Sequence, residues 1–300
     1  MLLTVPHLLS VAFVCTPHRG QQLVRGQQLA ASRASPPRLA AASALPAKEA
    51  LLSAIAGYDA ATAADGLPSV DFGVSGGELD KDSRAPRDLL AAGAYYAVSD
   101  AVGKAADAVV KAVDAVAAVN PTPEPTAGFG TRDGASVCPL HGRWSNAWTT
   151  AADATFSPDS KRGGARVSNR VDARSGKTEN IIEFTGRDHP AFRATRSPPK
   201  TPPLESLRVV LSAKAVSPSR IELVFRYVRP RLTIKLFGRK VKLTLLIPVP
   251  GPFLTSLLFA FRPKKKPPPA FFDVLYLDDD LRVHKTAQGN LFVQRRPAAA

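Results

Sequence analysis

A serine set as Gly73-Val74-Ser75-Gly76-Gly77 fits the G-x-S-x-G frame of a hydrolase nucleophile. That frame works on a sharp turn between a buried strand and a helix. Asp71-Phe72 before it and Glu78-Leu79-Asp80-Lys81-Asp82 after it supply neither, so Ser75 stands only as the weakest reading, a serine hydrolase. Cys138 and His141 lie close together, but two residues do not make a zinc site. After residue 47 the histidines are His141, His189 and His284, without ligand spacing. Asp278-Asp279-Asp280 suggests a hard cation, yet consecutive carboxylates point different ways and no further acidic cluster is near. A solvated turn that pairs with Arg282 or with the basic block is the better reading. No Gly-rich phosphate cradle is present. The sequence therefore assigns no catalytic residue, no metal and no cofactor.

Charge is concentrated in one block. Residues 223–272 hold no Asp or Glu but contain Arg226, Arg229, Arg231, Lys235, Arg239, Lys240, Lys242, Arg262, Lys264, Lys265 and Lys266. Arg229, Arg231, Thr233 and Lys235 alternate with Leu232, Ile234 and Leu236; Lys240, Lys242 and Thr244 alternate with Val241, Leu243 and Leu245. Successive strand side chains point to opposite faces, which predicts a hairpin with a cationic face outward and an apolar face toward a barrel interior. Phe253 to Phe261 follow as a short apolar run, including Phe259, too short to span a bilayer as a helix but able to dip into its interface. An apolar run beside a polybasic cluster is what an anionic membrane surface attracts; a solvated strand face beside one buried strand is the plainer alternative. The basic face lacks interleaved aromatics for base stacking, so no nucleic-acid partner is expected.

The elements that must carry these residues change character along the chain. Residues 1–47 contain no acid and four arginines among Ala, Ser and Gln, with a short apolar segment from Leu2 to Val14. That composition reads as a signal-like segment followed by a transit-like one, with a plain secretory signal as the alternative. Residues 48–125 form a helical region: a short helix over 48–55, a Gly- and Asp-rich loop over 57–86, and a long helix over 88–119. In the long helix Val98, Val102, Val109, Val113 and Val116 form one apolar stripe. It packs on the domain, or alternatively lies on a lipid surface. Asn120-Pro121-Thr122-Pro123 ends it. Residues 138–296 read as strands at 142–150, 165–173, 178–185, 204–214, 220–229, 231–237, 240–248, 271–277, 281–286 and 290–295. Ser175-Gly176-Lys177 and Phe237-Gly238-Arg239 are hairpin turns. Many short strands without intervening helices predict an antiparallel barrel or sandwich, and a barrel of about eight strands can hold one small ligand.

Tyr276-Leu277-Asp278-Asp279-Asp280-Leu281-Arg282-Val283 followed by Gly289-Asn290-Leu291-Phe292-Val293 resembles the C-terminal signature of the plastid lipid-associated protein (fibrillin, plastoglobulin) family. Collinear matches are Asn120-Pro121-Thr122-Pro123, Leu140-His141-Gly142-Arg143-Trp144 with Thr149-Thr150, and Arg170-Val171-Asp172 with Asn180-Ile181-Ile182-Glu183-Phe184. His284 and Thr286 depart from the family pattern, which usually shows a small hydroxyl residue and Gly there. The resemblance implies a mainly β, lipocalin-like antiparallel barrel with an N-terminal helical segment. In such barrels a Trp near the closed end packs under an Arg from a late strand; Trp144 and Arg282 match. It also implies a plastid location at thylakoids or plastoglobules and the binding of prenyl lipids, carotenoids or quinones. Strand alternation then nominates Trp148, Phe184, Leu223, Phe225 and Tyr227 as barrel-facing cavity residues. The rival within the same class is a structural coat that docks on plastid lipid through the basic, apolar block, with no internal ligand.

Overall fold

In the computed structural model, residues 37–65, 99–151, 154, 165–184, 204–237, 239–249 and 270–297 are described, with side chains of the first helix from Ala44 on and without that of Lys235. Ser75, Val98, Phe253, Phe259, Lys264, Lys265 and Lys266 and the Pro-rich stretches 197–203 and 263–269 lie outside the described residues.

The alternating runs from Gly142 onward form ten strands among the described residues: β1 (Gly142–Thr149), β2 (Ala165–Asp172), β3 (Lys177–Phe184), β4 (Leu204–Ala215), β5 (Arg220–Leu236), β6 (Arg239–Thr244), β7 (Ile247–Pro248), β8 (Phe271–Leu277), β9 (Leu281–Thr286) and β10 (Leu291–Arg295). All pairings are antiparallel, in the order β4-β3-β2-β1-β10-β9-β8-β5, and a further β4–β5 pairing closes this eight-stranded ring. β6 and β7 lie outside the ring, β6 paired to the last part of β5 and β7 to its middle, at Tyr227 and Val228.

Two strand expectations change. β5 is one 17-residue strand rather than two separated at Pro230. Proline removes one donor from a ladder, but the Pro230 carbonyl still accepts from the Leu245 N–H at 3.1 Å, so the strand continues. The run expected over 240–248 breaks instead at Leu245-Leu246, leaving β6 and β7.

Among the described residues three helices accompany the barrel: α1 (Pro37–Asp65), α2 (Asp100–Ala117) and the single turn α3 (Gly134–Val137). α1 is longer than the 48–55 pattern, crossing both residue 47 and the start of the expected loop, because its Ala-rich flanks continue the helix. Ser99 caps α2 by accepting the Val102 N–H at 3.2 Å. Val102, Ala106, Val109, Val113 and Val116 are its buried face. Val109, Val113 and Val116 pack with Leu51 and Ile55 of α1 against Trp148, Tyr276, Leu281, Val283, Leu291 and Val293. The stripe is thus consumed by packing and is not free to lie on lipid. Neither helix is long and apolar enough to cross a membrane.

Candidate functional site

The barrel interior has two unlike halves. At one end Trp144, fully buried, joins Leu140, Val171, Ala173, Ile221, Phe272, Val274 and Leu277 in a closed apolar cluster. Its indole N–H donates to the Leu140 carbonyl at 2.9 Å. The guanidinium carbon of Arg282 lies 5.2 Å from the Trp144 ring centre and that of Arg296 lies 4.1 Å away, both within cation–π reach. Arg296 also donates to the His141 and Pro139 carbonyls at 2.8 and 2.6 Å. A Cβ on Gly142 would meet Arg296 Nη1 at 2.6 Å, and Gly142 has φ +119°, so the opening glycine is what lets this arginine pass.

Beside Trp144 runs a polar belt. Arg282 is 1% exposed. Its Nε donates to Gln294 Oε1 at 2.9 Å and its Nη2 to Asn169 Oδ1 at 2.8 Å, while Asn169 Nδ2 donates to Asn180 Oδ1 at 2.7 Å. Burial, reinforced by the charge of Arg296, lowers the Arg282 pKa to about 9. Next along β9, His284 stacks on Phe292 with ring centres 5.0 Å apart and planes 1° from parallel, and also meets Phe272 at 5.0 Å. Burial, then the Arg282 charge, pushes the His284 imidazole well below its ordinary pKa.

The other half is lined by Phe184, Leu207, Val209 and Leu211, with Ile182, Leu204, Leu223, Phe225 and Val228 against them. Those last five are only half-buried although their cross-strand partners place them on the inner face. This half is not packed shut.

Of the five nominated cavity residues, Phe184, Leu223 and Phe225 are brought together here. Trp148 is not. The β1–β10 register shifts between Asn146 and Trp148, so Trp148 pairs with Val293 on the outer face and meets Tyr58 of α1 edge-on, ring centres 6.0 Å apart. Tyr227 is displaced likewise: the β4–β5 register shifts between Val210 and Leu211, which leaves Arg226 as the extra residue and sets Tyr227 opposite Val210, the neighbour of inward Leu211. One inserted residue reverses the alternation beyond it.

The acidic turn also differs from expectation. Asp278 pairs with Lys48 of α1 at 2.7 Å, and Asp280 contacts the same ammonium; Arg282 faces the interior instead. Asp278 further accepts the Tyr276 hydroxyl at 2.7 Å and the N–H groups of Asp280 and Leu281 at 3.0 and 2.7 Å. Burial opposes its charge, but these bonds outweigh it and lower its pKa. Asn120 Oδ1 accepts the Leu277 N–H at 3.0 Å, and Thr122 donates to the Leu277 carbonyl at 2.6 Å, so the Asn-Pro-Thr segment clamps the end of β8. Asn290 accepts from the Thr150 hydroxyl at 3.1 Å, and Gly289 holds the last turn at φ +88°. His284 and Thr286, the two departures, leave the hairpin paired throughout.

β5 and β6 project past the ring as a ribbon. Both faces of β6 are exposed, including Lys240, Lys242, Val241 and Leu243, so its apolar face does not enter the barrel as expected. β5, at 17 residues, outruns the 12-residue β4, and beyond the ring there is no interior to face. Arg231 is held by Glu205 at 3.2 Å, Arg229 lies opposite Arg208 on β4, and Lys235 opposite Lys240. Phe237 at the tip is 96% exposed with φ +49°. The sequence does not single out Lys48, Gln294, Asn169 or Arg296, and shows Phe237 only as part of a hairpin turn. Only Phe237 carried a local signal, as an apolar residue in a two-residue turn.

A closed eight-stranded antiparallel ring with a Trp–Arg pair at its sealed end defines a lipocalin-like barrel protein. The sequence model of the PAP_fibrillin family matches residues 97–295, well over half of the chain, and the chain belongs to that family, the plastid lipid-associated proteins. Comparison with curated proteins and with solved structures gave no match.

Proposed function

We propose that the barrel takes up an apolar molecule of the prenyl-lipid, carotenoid or quinone class and holds it at a plastid lipid surface, thylakoid or plastoglobule. The observation that carries this is the contrast between the barrel's two halves. Trp144 and its buried neighbours are sealed, whereas Ile182, Phe225 and Val228 are inward-facing, apolar and half-buried. Concave apolar surface with a few convergent polar groups is the usual form of a small-molecule site. The leader over residues 1–47 would deliver the chain to the plastid, and no catalytic role forms part of the proposal. The test is uptake of a neutral fluorophore, N-phenyl-1-naphthylamine, by the detergent-free protein. Saturable enhancement that Phe225→Arg abolishes supports the reading; enhancement unchanged by Phe225→Arg refutes it.

A second reading, docking as a coat, is favoured by the ribbon. Phenylalanine at positive φ is an unfavourable choice for folding, yet Phe237 occupies the exposed tip beside Arg239, Lys240 and Lys242. An aromatic tip with flanking cations suits an anionic bilayer interface. The two readings are compatible, the ribbon docking while the barrel carries. The apolar run with Phe253 and Phe259 and the Lys264–Lys266 cluster belong to the same docking proposal on sequence grounds.

A further inference from the structure

We propose that the ribbon is a loading ramp: its aliphatic face receives an uncharged lipid from an anionic lipid surface and passes it along β5 into the open half of the barrel. The inference rests on the reading that the barrel holds an apolar guest, and adds the route by which the guest arrives.

The aliphatic face of the ribbon prolongs the inner wall of the barrel. On β5, Val228 lies opposite Val209 and Pro230 opposite Leu207, both of the open half. Leu232 follows opposite Leu204, which packs in the same place. From Val228 to Leu236 the β5 register runs without an inserted residue, so Leu232, Ile234 and Leu236 keep that face after the ring has ended. β6 widens the track, with Leu243 opposite Leu232 and Val241 opposite Ile234. Exposure rises outward. Pro230 is buried, Leu232 and Ile234 are half-buried, and Leu236 is 48% exposed beside Val241 and Leu243 at 39% each.

Position gives the track a direction. β5 starts in the sealed cluster at Ile221, passes the open half at Phe225 and Val228, and leaves the ring beyond Leu232. The ramp therefore meets the barrel on the side remote from Trp144. Charge names the occupant. Lys240 and Lys242, both exposed, lie on the opposite face of the ribbon, and Phe237 stands at its tip. Lysine stems are long enough to carry their ammonium groups to anionic headgroups while an aromatic tip and an aliphatic face enter the layer below. A protein partner seated on the track would also close the barrel mouth, whereas a lipid layer fills it with the material that the open half accepts. Each methylene that a guest exposes to water on the way slows its transfer about fourfold. A continuous apolar track removes that barrier.

The test follows diphenylhexatriene from vesicles into the full chain. The vesicles hold phosphatidylcholine, phosphatidylglycerol and a rhodamine-labelled lipid that quenches the probe until it leaves. Transfer to the wild type should speed up in proportion to vesicle concentration, because the probe passes on contact and not through water. Ile234→Ser with Val241→Ser breaks the track at one cross-strand pair. That variant should transfer at least about tenfold more slowly, as two methylenes left in water would require, at vesicle concentrations that sediment all of the protein. Its uptake of N-phenyl-1-naphthylamine from water should match wild type. A wild-type rate indifferent to vesicle concentration, or a variant as fast as wild type, overturns the ramp while leaving the guest in place. A wild-type dimer in sedimentation velocity that the variant dissolves assigns the face to a second copy and overturns the ramp as well. Failure of the wild type to take up either probe overturns the underlying reading. Should the variant misfold or fail to sediment, the wild-type dependence on vesicle concentration decides alone.

Discussion

Lys48 and Asp278 stand 230 residues apart in sequence and meet at 2.7 Å, tying the first helix to the turn between β8 and β9. The two side chains are 15% and 20% exposed, so the pair is little screened by water. For Lys48, burial disfavours the charge, but the bonds to Asp278 and Asp280 outweigh it and the pKa is raised. Lys48→Met should cost about 1.5–3 kcal/mol, the range for hydrogen bonds to charged groups, measured by urea unfolding. Because the Asp278 pKa is lowered, its contribution is present above the ordinary carboxylate range and lost as pH falls through the depressed value. The acid limb of the stability profile should therefore be shallower in Lys48→Met than in wild type.

His284 gives a second pH dependence at higher pH. Its pKa is held well below 6.5, so below that value the unfolded chain binds a proton that the folded chain refuses. Stability should be full above pH 6.5 and fall by about 1.4 kcal/mol per unit below it until the folded-state value is reached. His284→Phe keeps the stack on Phe292 and should flatten the curve between pH 6.5 and 5. An unchanged slope in that variant would assign the titration elsewhere.

Trp144 and Trp148 lie on the same strand but do different work. Trp144→Ala opens the sealed end and should cost about 3–5 kcal/mol. Trp148→Ala loosens α1 instead, through its contact with Tyr58. Amide exchange separates them: Trp148→Ala should speed exchange in α1 while β2 and β3 stay protected, and Trp144→Ala should expose the strands.

On the ribbon, Lys240→Glu with Lys242→Glu should weaken binding to vesicles containing phosphatidylglycerol. Each lysine near an anionic surface contributes about 1 kcal/mol, roughly fivefold in affinity. The pair should lose about 25-fold or more, and Phe237→Asp should reduce binding to neutral and anionic vesicles alike. Co-sedimentation that stays at wild-type levels in all these variants would remove the docking role of the ribbon.

How far the sequence disclosed this depended on whether a feature was periodic or exceptional. Alternation located most of the strands and placed Phe184, Leu223 and Phe225 inside, and the spacing of Val102, Val109, Val113 and Val116 marked the buried face of α2. The C-terminal signature pointed to Arg282 over Trp144. Two single-residue bulges, near Ala147 and at Arg226, defeated the same alternation for Trp148 and Tyr227, since parity carries no memory across an inserted residue. The ribbon misled for another reason: an amphipathic strand pattern fixes two faces but does not say whether a barrel lies behind one of them. Lys48–Asp278 and Arg296–Gly142 join residues more than 150 positions apart, and nothing local announces them.

A barrel that carries a defined apolar guest should yield it on organic extraction and mass spectrometry of the protein isolated from its own membranes and washed without detergent. Near-stoichiometric recovery of one lipid or pigment is expected, lost from Phe225→Arg isolated in the same way. Recovery of mixed bulk membrane lipid alone, or equal recovery from the variant, would contradict it and leave a surface coat whose barrel is filled by its own side chains.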